Sequence, residues 1–200
     1  MEKSVFNIEF QQKNIASKIV VSLERISEAF KSLLWDYAKI IGLSPIQIQI
    51  LIFIAYHKDE LCKVSYLADE FNITKPTVSD AVKVLNNKGL IHKEYSEIDN
   101  RSYSISLTAK GKNIVRKTEK FAEPIKNGIE RIEKDELEIL YRSLNRLIYN
   151  LNSKGVLTVQ RTCYGCRFYE KAKTNHFCNL LEKELHTTEI RIDCPEFEGK

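Results

Sequence analysis

Residues 63–111 of the chain read KVSYLADEFNITKPTVSDAVKVLNNKGLIHKEYSEIDNRSYSISLTAKG. A short amphipathic segment opens the stretch, and a polar turn separates it from a second helical segment that runs from Thr74 to Gly89. Two runs typical of β-strands follow, at residues 90–95 and 102–107, with the charged residues 96–101 between them. The stretch therefore predicts a helix, a turn, a second helix and a β-hairpin, in that order.

Local chemistry supports each of these elements. Thr74 is a good N-cap, and Pro76 falls in the first helical turn, where a missing N–H costs little. Gly89 is placed to end the helix in a left-handed conformation. Helical spacing predicts that one face of this helix is buried, through Val78, Ala81, Val82 and Leu85. In the hairpin, apolar residues alternate with serines between Ser102 and Leu107, as in a half-buried strand.

This order of elements is a winged helix-turn-helix, in which one helix fits the major groove of DNA and the hairpin reaches the neighbouring groove. The charge distribution agrees with that layout. Residues 61–120 hold 11 Lys and Arg against 7 Asp and Glu, an excess equal to the net charge of +4 of the whole chain. Basic residues in this region suit contacts with phosphates, and His92 in the first strand is a further candidate.

The same residues resemble the MarR family of bacterial transcription regulators. The wing carries Asp99-Asn100-Arg101 at its tip and ends in Leu107-Thr108-Ala109-Lys110-Gly111, and the second helix contains Thr77-Val78-Ser79. The resemblance covers residues from about 14 to about 153. It implies that Arg101 enters the minor groove and that Asp99 holds its guanidinium. The DNA-binding residues that it suggests are Thr74, Lys75, Thr77, Ser79, Asp80, Lys83, Asp99, Asn100 and Arg101.

Asp80 departs from the family pattern, because many members have arginine at this position. A carboxylate cannot hold a phosphate. It can accept a hydrogen bond from a cytosine amino group or pair with a neighbouring lysine. The base preference therefore cannot be carried over from the family.

The flanking residues predict a mainly α-helical protein with one small β-hairpin. An apolar stripe from Ile19 to Ile41 predicts a long helix that ends at Gly42. Ser44-Pro45-Ile46-Gln47 predicts a capping box, followed by an almost wholly apolar helix through residues 50–55. A helix from Thr108 runs towards Pro124, and a last helix carries an apolar stripe at Leu137, Leu140, Tyr141, Leu144, Leu147, Ile148 and Leu151.

That stripe fits either the core of a monomer or a subunit interface. In MarR-like proteins the first and last helices interlock across a two-fold axis, so the resemblance favours a homodimer that binds a palindromic operator. We therefore divide the chain into a winged-helix and dimerisation domain, residues 1–157, and a C-terminal appendage, residues 158–200. We call residues 158–200 the tail.

The tail holds four of the five cysteines, Cys163, Cys166, Cys178 and Cys194, with the spacing C-x2-C-x11-C-x15-C. We call these four residues the cysteine cluster. The tail contains 7 basic and 7 acidic residues, and this balance does not suggest an arm that binds nucleic acid. A segment this short rarely folds on its own apolar residues without a covalent or metal cross-link.

Three uses of the cysteines stay open. A tetrahedral zinc site fits four thiolates, and Gly165 would permit the tight turn between Cys163 and Cys166. An iron–sulfur cluster needs the same ligands, and a proline after the last cysteine, as in Cys194-Pro195, occurs in some cluster proteins. Free or redox-active thiols are the third, with Cys163 and Cys166 as the reactive pair. We expect zinc, with His176 a bystander and Cys62 a small buried hydrophobe.

The sequence contains no P-loop, nucleophile elbow or His-Glu-x-x-His, so it gives no sign of an enzyme. The N-terminus lacks a signal-peptide apolar region, and no apolar run approaches membrane-spanning length, which predicts a cytoplasmic protein. The expected function is a sequence-specific transcription regulator, a repressor of the MarR type with a metal-bound tail. Alternatives are a regulator that senses redox state through iron–sulfur chemistry and a thiol redox protein. A third alternative is a protein-binding module in which the tail docks a partner and the winged helix has lost DNA affinity. The family resemblance also implies a small aromatic effector, for which Trp35, Tyr37 and Phe53 are candidate contacts.

Overall fold

The computed structural model of the chain describes residues 4–95, 103–171 and 175–200. Within these ranges the chain forms eight α-helices and five β-strands. The helices are α1 (Ile8–Lys13), α2 (Ile15–Ile41), α3 (Pro45–Tyr56), α4 (Val64–Glu70), α5 (Lys75–Asn87), α6 (Ala109–Thr118), α7 (Glu123–Ile129) and α8 (Lys134–Ser153). The strands are β1 (Ile91–Tyr95), β2 (Tyr103–Leu107), β3 (Tyr169–Lys171), β4 (His176–Cys178) and β5 (Lys183–Leu185).

Helices α2 and α3 both begin at a side-chain cap. In α2 the Asn14 side chain accepts from the Ser17 N–H at 2.9 Å, and Gly42 ends the helix at φ 68°. The helix is longer than the predicted 19–41, and α1 was not expected. In α3 both hydrogen bonds of the capping box between Ser44 and Gln47 are present. The predicted burial of α3 is confirmed at its centre, through Ile48, Ile50, Leu51, Phe53 and Ile54.

Helices α4 and α5 form the predicted helix-turn-helix. Thr74 caps α5, because its hydroxyl oxygen accepts the Thr77 N–H at 3.3 Å. The four predicted core residues of α5 are buried, and they pack in one cluster with α3 and α4. Gly89 has the expected left-handed backbone, at φ 66°, and Asn72 in the turn between the helices also has a positive φ of 53°.

The wing is an antiparallel pair in which Ile91 faces Leu107 and Tyr95 faces Tyr103. Ile105 is fully buried, and its N–H donates to the carbonyl of Cys62 at 2.9 Å, which fixes the hairpin to the core. The wing tip lies outside the described residues, and it contains the predicted site residues Asp99, Asn100 and Arg101.

The segment after the wing differs from the prediction of one helix running towards Pro124. Helix α6 ends at Thr118, and a separate helix, α7, begins at Glu123 with Pro124 in its first turn. A continuous helix would bring the proline ring against the carbonyl of Lys120, four residues earlier, so the chain breaks before it.

The tail forms a three-stranded antiparallel sheet in the order β3-β4-β5, with short 3-10 turns at Cys163–Gly165 and Thr187–Glu189. It has a small core of its own around Cys163, Cys166, Tyr169 and Ile190. The tail packs on α8, where the Tyr141 hydroxyl donates to the Ile190 carbonyl and the Tyr149 and Tyr164 rings lie 6.0 Å apart.

Among the described residues, no single helix is long and apolar enough to cross a membrane. Helices α2 and α3 meet that criterion only when taken together, and the chain bends by 94° between them.

Candidate nucleic-acid interface and cysteine cluster

Helix α5 presents a polar face to solvent. Its core residues are held inside, and all six site residues predicted on this helix and its cap are exposed: Thr74, Lys75, Thr77, Ser79, Asp80 and Lys83. The Thr74 and Thr77 hydroxyl oxygens lie 2.7 Å apart, so the first turn is preorganised. Ammonium groups can bind phosphates, and hydroxyl and carboxylate groups can read base edges in a major groove.

Asp80 is available for such a contact. Among the ion pairs of the described residues, none involves Asp80. The alternative of a pair with a neighbouring lysine therefore has no support in the free subunit. Its carboxylate is exposed at the second turn of α5 and can accept a hydrogen bond from a base amino group.

Two lysines of the basic region serve the fold. The Lys88 ammonium donates to the Gly42 carbonyl at 3.2 Å, and the Lys110 ammonium donates to the Lys88 carbonyl at 2.9 Å. These bonds join the ends of α2 and α5 and the start of α6. Charge counting could not separate them from Lys75 and Lys83, whose side chains face solvent.

The cysteine cluster surrounds one small cavity. All four sulfur-bearing residues line a space of about 20 Å³, together with Phe168, Tyr169, Leu180, Leu181, Leu185, Arg191 and Glu196. Cys163 and Cys166 stand at the two ends of a 3-10 turn, Cys178 ends β4, and Cys194 follows the last turn. The five cysteines of the chain form no disulfide. The structure therefore brings together four thiols from three distant parts of the tail.

Polar groups already face these sulfurs. The Arg191 N–H donates to Cys163 Sγ at 3.2 Å, and the Arg191 guanidinium donates to Cys194 Sγ at 3.6 Å. Burial raises the pKa of the Cys163 thiol, and the three other cysteines raise it further. Cys163 and Cys166 are buried, and Cys178 and Cys194 are half-buried. Four thiolates around one cavity would repel one another, so ionisation of all four is favoured by a cation among them.

The structure does not arrange the cysteine cluster as a metal site. Across the described ranges, no three His, Cys, Asp or Glu side chains are arranged as a finished metal site. His176 does not line the cavity, because its Nδ1 bonds the Tyr169 hydroxyl at 2.5 Å and its ring stacks on that tyrosine. Gly165 lies in the expected tight turn, the 3-10 turn Cys163–Gly165. The φ of Gly165 is not positive. A Cβ atom added to Gly165 would lie 2.1 Å from the side-chain amide nitrogen of Gln160.

Cys62, the fifth cysteine, is fully buried below the wing. Its thiol donates to the Lys58 carbonyl at 3.5 Å. Burial raises its pKa to about 11, and Asp59 and Glu60 add to the effect. A thiol with so little thiolate at neutral pH is a poor redox sensor, which agrees with its expected role as a small core residue.

A charged group that sequence reasoning missed joins the tail to the winged helix. The Arg161 guanidinium bonds Glu70 at the end of α4 and Asp193 next to Cys194, and Asp193 also bonds His57. With Tyr66, these residues form what we call the Arg161 cluster. The side chains come from four separate parts of the chain, so no local pattern could have revealed it. A cavity of about 720 Å³ lies beside it, between the end of α3 and the tail.

Of the three candidate effector contacts, Trp35 lines a cavity between α2 and α3. Trp35 borders a space of about 350 Å³ together with Phe30 and Phe121. Phe53 is instead buried in the core, stacked on the His57 ring at 3.7 Å, and Tyr37 packs at the edge of the same core.

Residues 41–102 match the MarR family model. This range contains α3, the helix-turn-helix and the first strand of the wing, and the wing-exit residues 107–111 lie beyond it. A curated relative, the uncharacterized HTH-type transcriptional regulator YdgJ of Bacillus subtilis (strain 168), is 27% identical over 113 residues. The match spans 56% of this chain and 68% of the relative.

Solved MarR-type structures share the fold. The S. aureus MepR–DNA complex superposes with a TM-score of 0.58 at 22% identity, covering 66% of this chain and 97% of that one. A MarR protein from Peptoclostridium difficile gives 0.59 at 19% identity, covering 68% of this chain and 88% of that one. The mainly helical architecture with its antiparallel hairpin is thus a MarR-type winged helix-turn-helix.

Proposed function

We propose that the chain is a sequence-specific DNA-binding transcription regulator of the MarR type, a repressor that works in the cytoplasm and is not an enzyme. The observation that carries the proposal is α5, which buries its apolar face and, together with its cap Thr74, exposes the six predicted polar site residues at the place where this fold reads DNA. A relative named as a transcription regulator and a fold shared with MepR in its DNA complex support it.

The proposal includes a homodimer, because a single subunit leaves its outer helices apolar. Ile8, Ile15, Ile19 and Trp35 on α1 and α2 are more than half exposed. Asn145 is the buried residue of the 20-residue α8, and an apolar groove of about 430 Å³ runs along that helix past Leu137, Leu140 and Leu144. Surfaces of this kind mark subunit interfaces. A two-fold dimer would place two α5 helices on a palindromic operator.

Selection of bound duplexes from a random library by the full-length protein tests this function. We expect enrichment of a palindromic site whose half-sites are about one helical turn apart, with two chains per duplex. A library that stays random after repeated rounds at low salt would contradict the proposal.

The Trp35 cavity is the proposed effector site, and an aromatic effector that binds there should quench the fluorescence of the single tryptophan.

We further propose that the cysteine cluster holds one metal ion, most simply zinc. The supporting observation is the cavity shared by all four cysteines. Its 20 Å³ compares with the roughly 10–15 Å³ that one water-sized sphere occupies, so a single ion suits it better than an iron–sulfur cluster.

Metal analysis together with an absorption spectrum of protein purified without oxygen distinguishes the alternatives. One zinc per chain and no visible absorption are expected. A brown protein with bound iron would favour the iron–sulfur alternative. A metal content near zero in fully reduced protein would contradict both metal sites.

A further inference from the structure

The connection from α8 to the tail lies against the turn of the helix-turn-helix. The Thr158 hydroxyl donates to the Asn72 side-chain oxygen at 3.0 Å, and the Asn72 amide donates to the Val156 carbonyl at 3.4 Å. Asn72 has a positive φ, and it lies two residues before Thr74, the cap of α5. Residues 156 and 158, between α8 and the tail sheet, therefore bond the side chain of Asn72 in the turn that precedes α5.

Arg161 makes a second and stronger contact with the same unit. Its guanidinium bonds both carboxylate oxygens of Glu70, at 2.7 and 3.2 Å, and it also donates to the Tyr66 hydroxyl. The central carbon of the Arg161 guanidinium, Cζ, lies 5.6 Å from the centre of the Phe53 ring. Only 11% of the Arg161 side chain is exposed. A planar, two-point ion pair with this little exposure fixes orientation as well as distance.

The opposite side of Arg161 contacts Asp193 and the backbone of Cys194. Its side chain bonds both oxygens of Asp193, at 2.5 and 3.1 Å, and its carbonyl accepts the Cys194 N–H at 3.1 Å. The Cys163 N–H in turn donates to the Arg191 carbonyl at 3.1 Å. Cys194 thus bonds the backbone of Arg161, and Cys163 bonds the backbone of Arg191, two residues before Asp193.

The tail also packs on α8, through Tyr141 and Tyr149. It therefore connects the proposed dimerisation helix with the helix-turn-helix of the same subunit. In a dimer, the angle between these two parts sets the distance between the two recognition helices. DNA affinity depends on that distance, because both half-sites must be contacted at once.

We propose that a thiophilic divalent cation such as Zn²⁺, bound by Cys163, Cys166, Cys178 and Cys194, acts as an allosteric activator of DNA binding through Arg161. This inference rests on the proposed function. With the ion bound, residues 191–194 are fixed, Asp193 and Glu70 hold Arg161 between them, and the helix-turn-helix keeps its position relative to α8. Without the ion, Cys194 loses its metal anchor, and Asp193 is held only by its own bonds to Arg161 and His57. The helix-turn-helix then samples orientations that do not fit both half-sites.

The test compares zinc-loaded and zinc-stripped full-length protein in wild type, Arg161→Gln and the control Arg167→Gln. Arg167 also lies in the tail and pairs with Glu198 at 2.7 Å, but it is more than half exposed. Binding to a selected duplex and to a duplex of unrelated sequence is measured by fluorescence anisotropy. Zinc content and hydrogen exchange of residues 64–74 are measured on the same samples.

Zinc removal should weaken specific binding by wild type and by Arg167→Gln roughly 5-fold or more, the usual range for coupled sites. Arg161→Gln should keep its zinc yet show equal affinity with and without it. Exchange in residues 64–74 should rise on zinc removal in wild type and be high in both states of Arg161→Gln.

Three results would overturn the inference: full zinc dependence in Arg161→Gln, equal affinity of loaded and stripped wild type, or tighter binding by the stripped form. The exchange measurement does not need DNA. A zinc effect on residues 64–74 without any duplex binding would refute the DNA function alone, whereas DNA binding without that effect would refute the coupling alone. If Arg161→Gln fails to fold, Thr158→Val serves instead. This variant removes only the hydrogen bond to the Asn72 side chain. It should measurably reduce the ratio between the DNA affinities of the zinc-loaded and zinc-stripped protein.

Discussion

A Cβ atom on Gly111 would lie 2.0 Å from the carbonyl oxygen of Leu90. The same carbonyl accepts the Thr108 N–H at 3.1 Å, so the first turn of α6 packs directly on the chain that enters β1. This contact gives a physical reason for the Leu-Thr-x-x-Gly pattern at the exit of the wing. Threonine caps the helix, and glycine leaves room for the backbone that passes it.

Gly111→Ala should therefore destabilise the winged helix by about 1–3 kcal/mol or more, because the neighbouring atom is backbone and cannot move aside easily. Gly128→Ala is the matched control. It also lies in a helix, with nothing within 4 Å of the added Cβ. It should stabilise by roughly 0.5–1 kcal/mol. Urea unfolding measures both, and equal stability of the two variants would show that the Gly111 contact is unimportant.

The sequence predicted well the elements that are fixed by local chemistry. Thr74, Ser44 and Gly89 each act through neighbours within four residues, so their roles follow from pattern alone. It predicted less well where distant segments meet. The role of Gly165 depends on Gln160 across a turn, and the Arg161 cluster depends on a tail that folds back over α3 and α4. A list of motifs does not contain such contacts.

Lys75→Ala and Lys83→Ala should each weaken binding to any duplex and lower the slope of log K against log salt by about one unit, if each meets one phosphate. Lys126→Ala is a suitable control, because this exposed lysine of α7 pairs with Glu123 and Glu130. Anisotropy titrations at several salt concentrations give the slopes. Unchanged slopes in both α5 variants would remove this face from the interface.

Leu144→Asp combined with Ile148→Asp should give folded monomers that bind the palindromic site weakly. Both side chains are only half buried within one subunit, so an aspartate there can remain in water in the monomer. In the proposed dimer the same aspartate would be buried, and its desolvation would destabilise the interface. Arg142→Asp, on the opposite face of α8, should leave the dimer intact. Analytical ultracentrifugation at micromolar concentration tests this. Wild type that sediments as a monomer would refute the dimer.

Cys163→Ser should abolish metal binding and expose the tail beyond about residue 158 to trypsin, because metal binding and folding are coupled in small thiolate sites. Cys62→Ala should retain one metal ion per chain, since this thiol is buried in the other core. A chelator applied to wild type should reproduce the Cys163→Ser digestion pattern. A tail that resists protease equally with and without metal would contradict the proposed site.

The central claim is that the exposed face of α5 reads base sequence. The most direct test repeats the duplex selection with Thr77→Ala, Ser79→Ala and Asp80→Ala and compares the selected sites with those of wild type. Loss of one base contact should cost about 1–3 kcal/mol of discrimination at one position. We expect relaxed preference at matching positions of both half-sites, with the remaining positions retained. Identical preferences in wild type and all three variants would contradict the account.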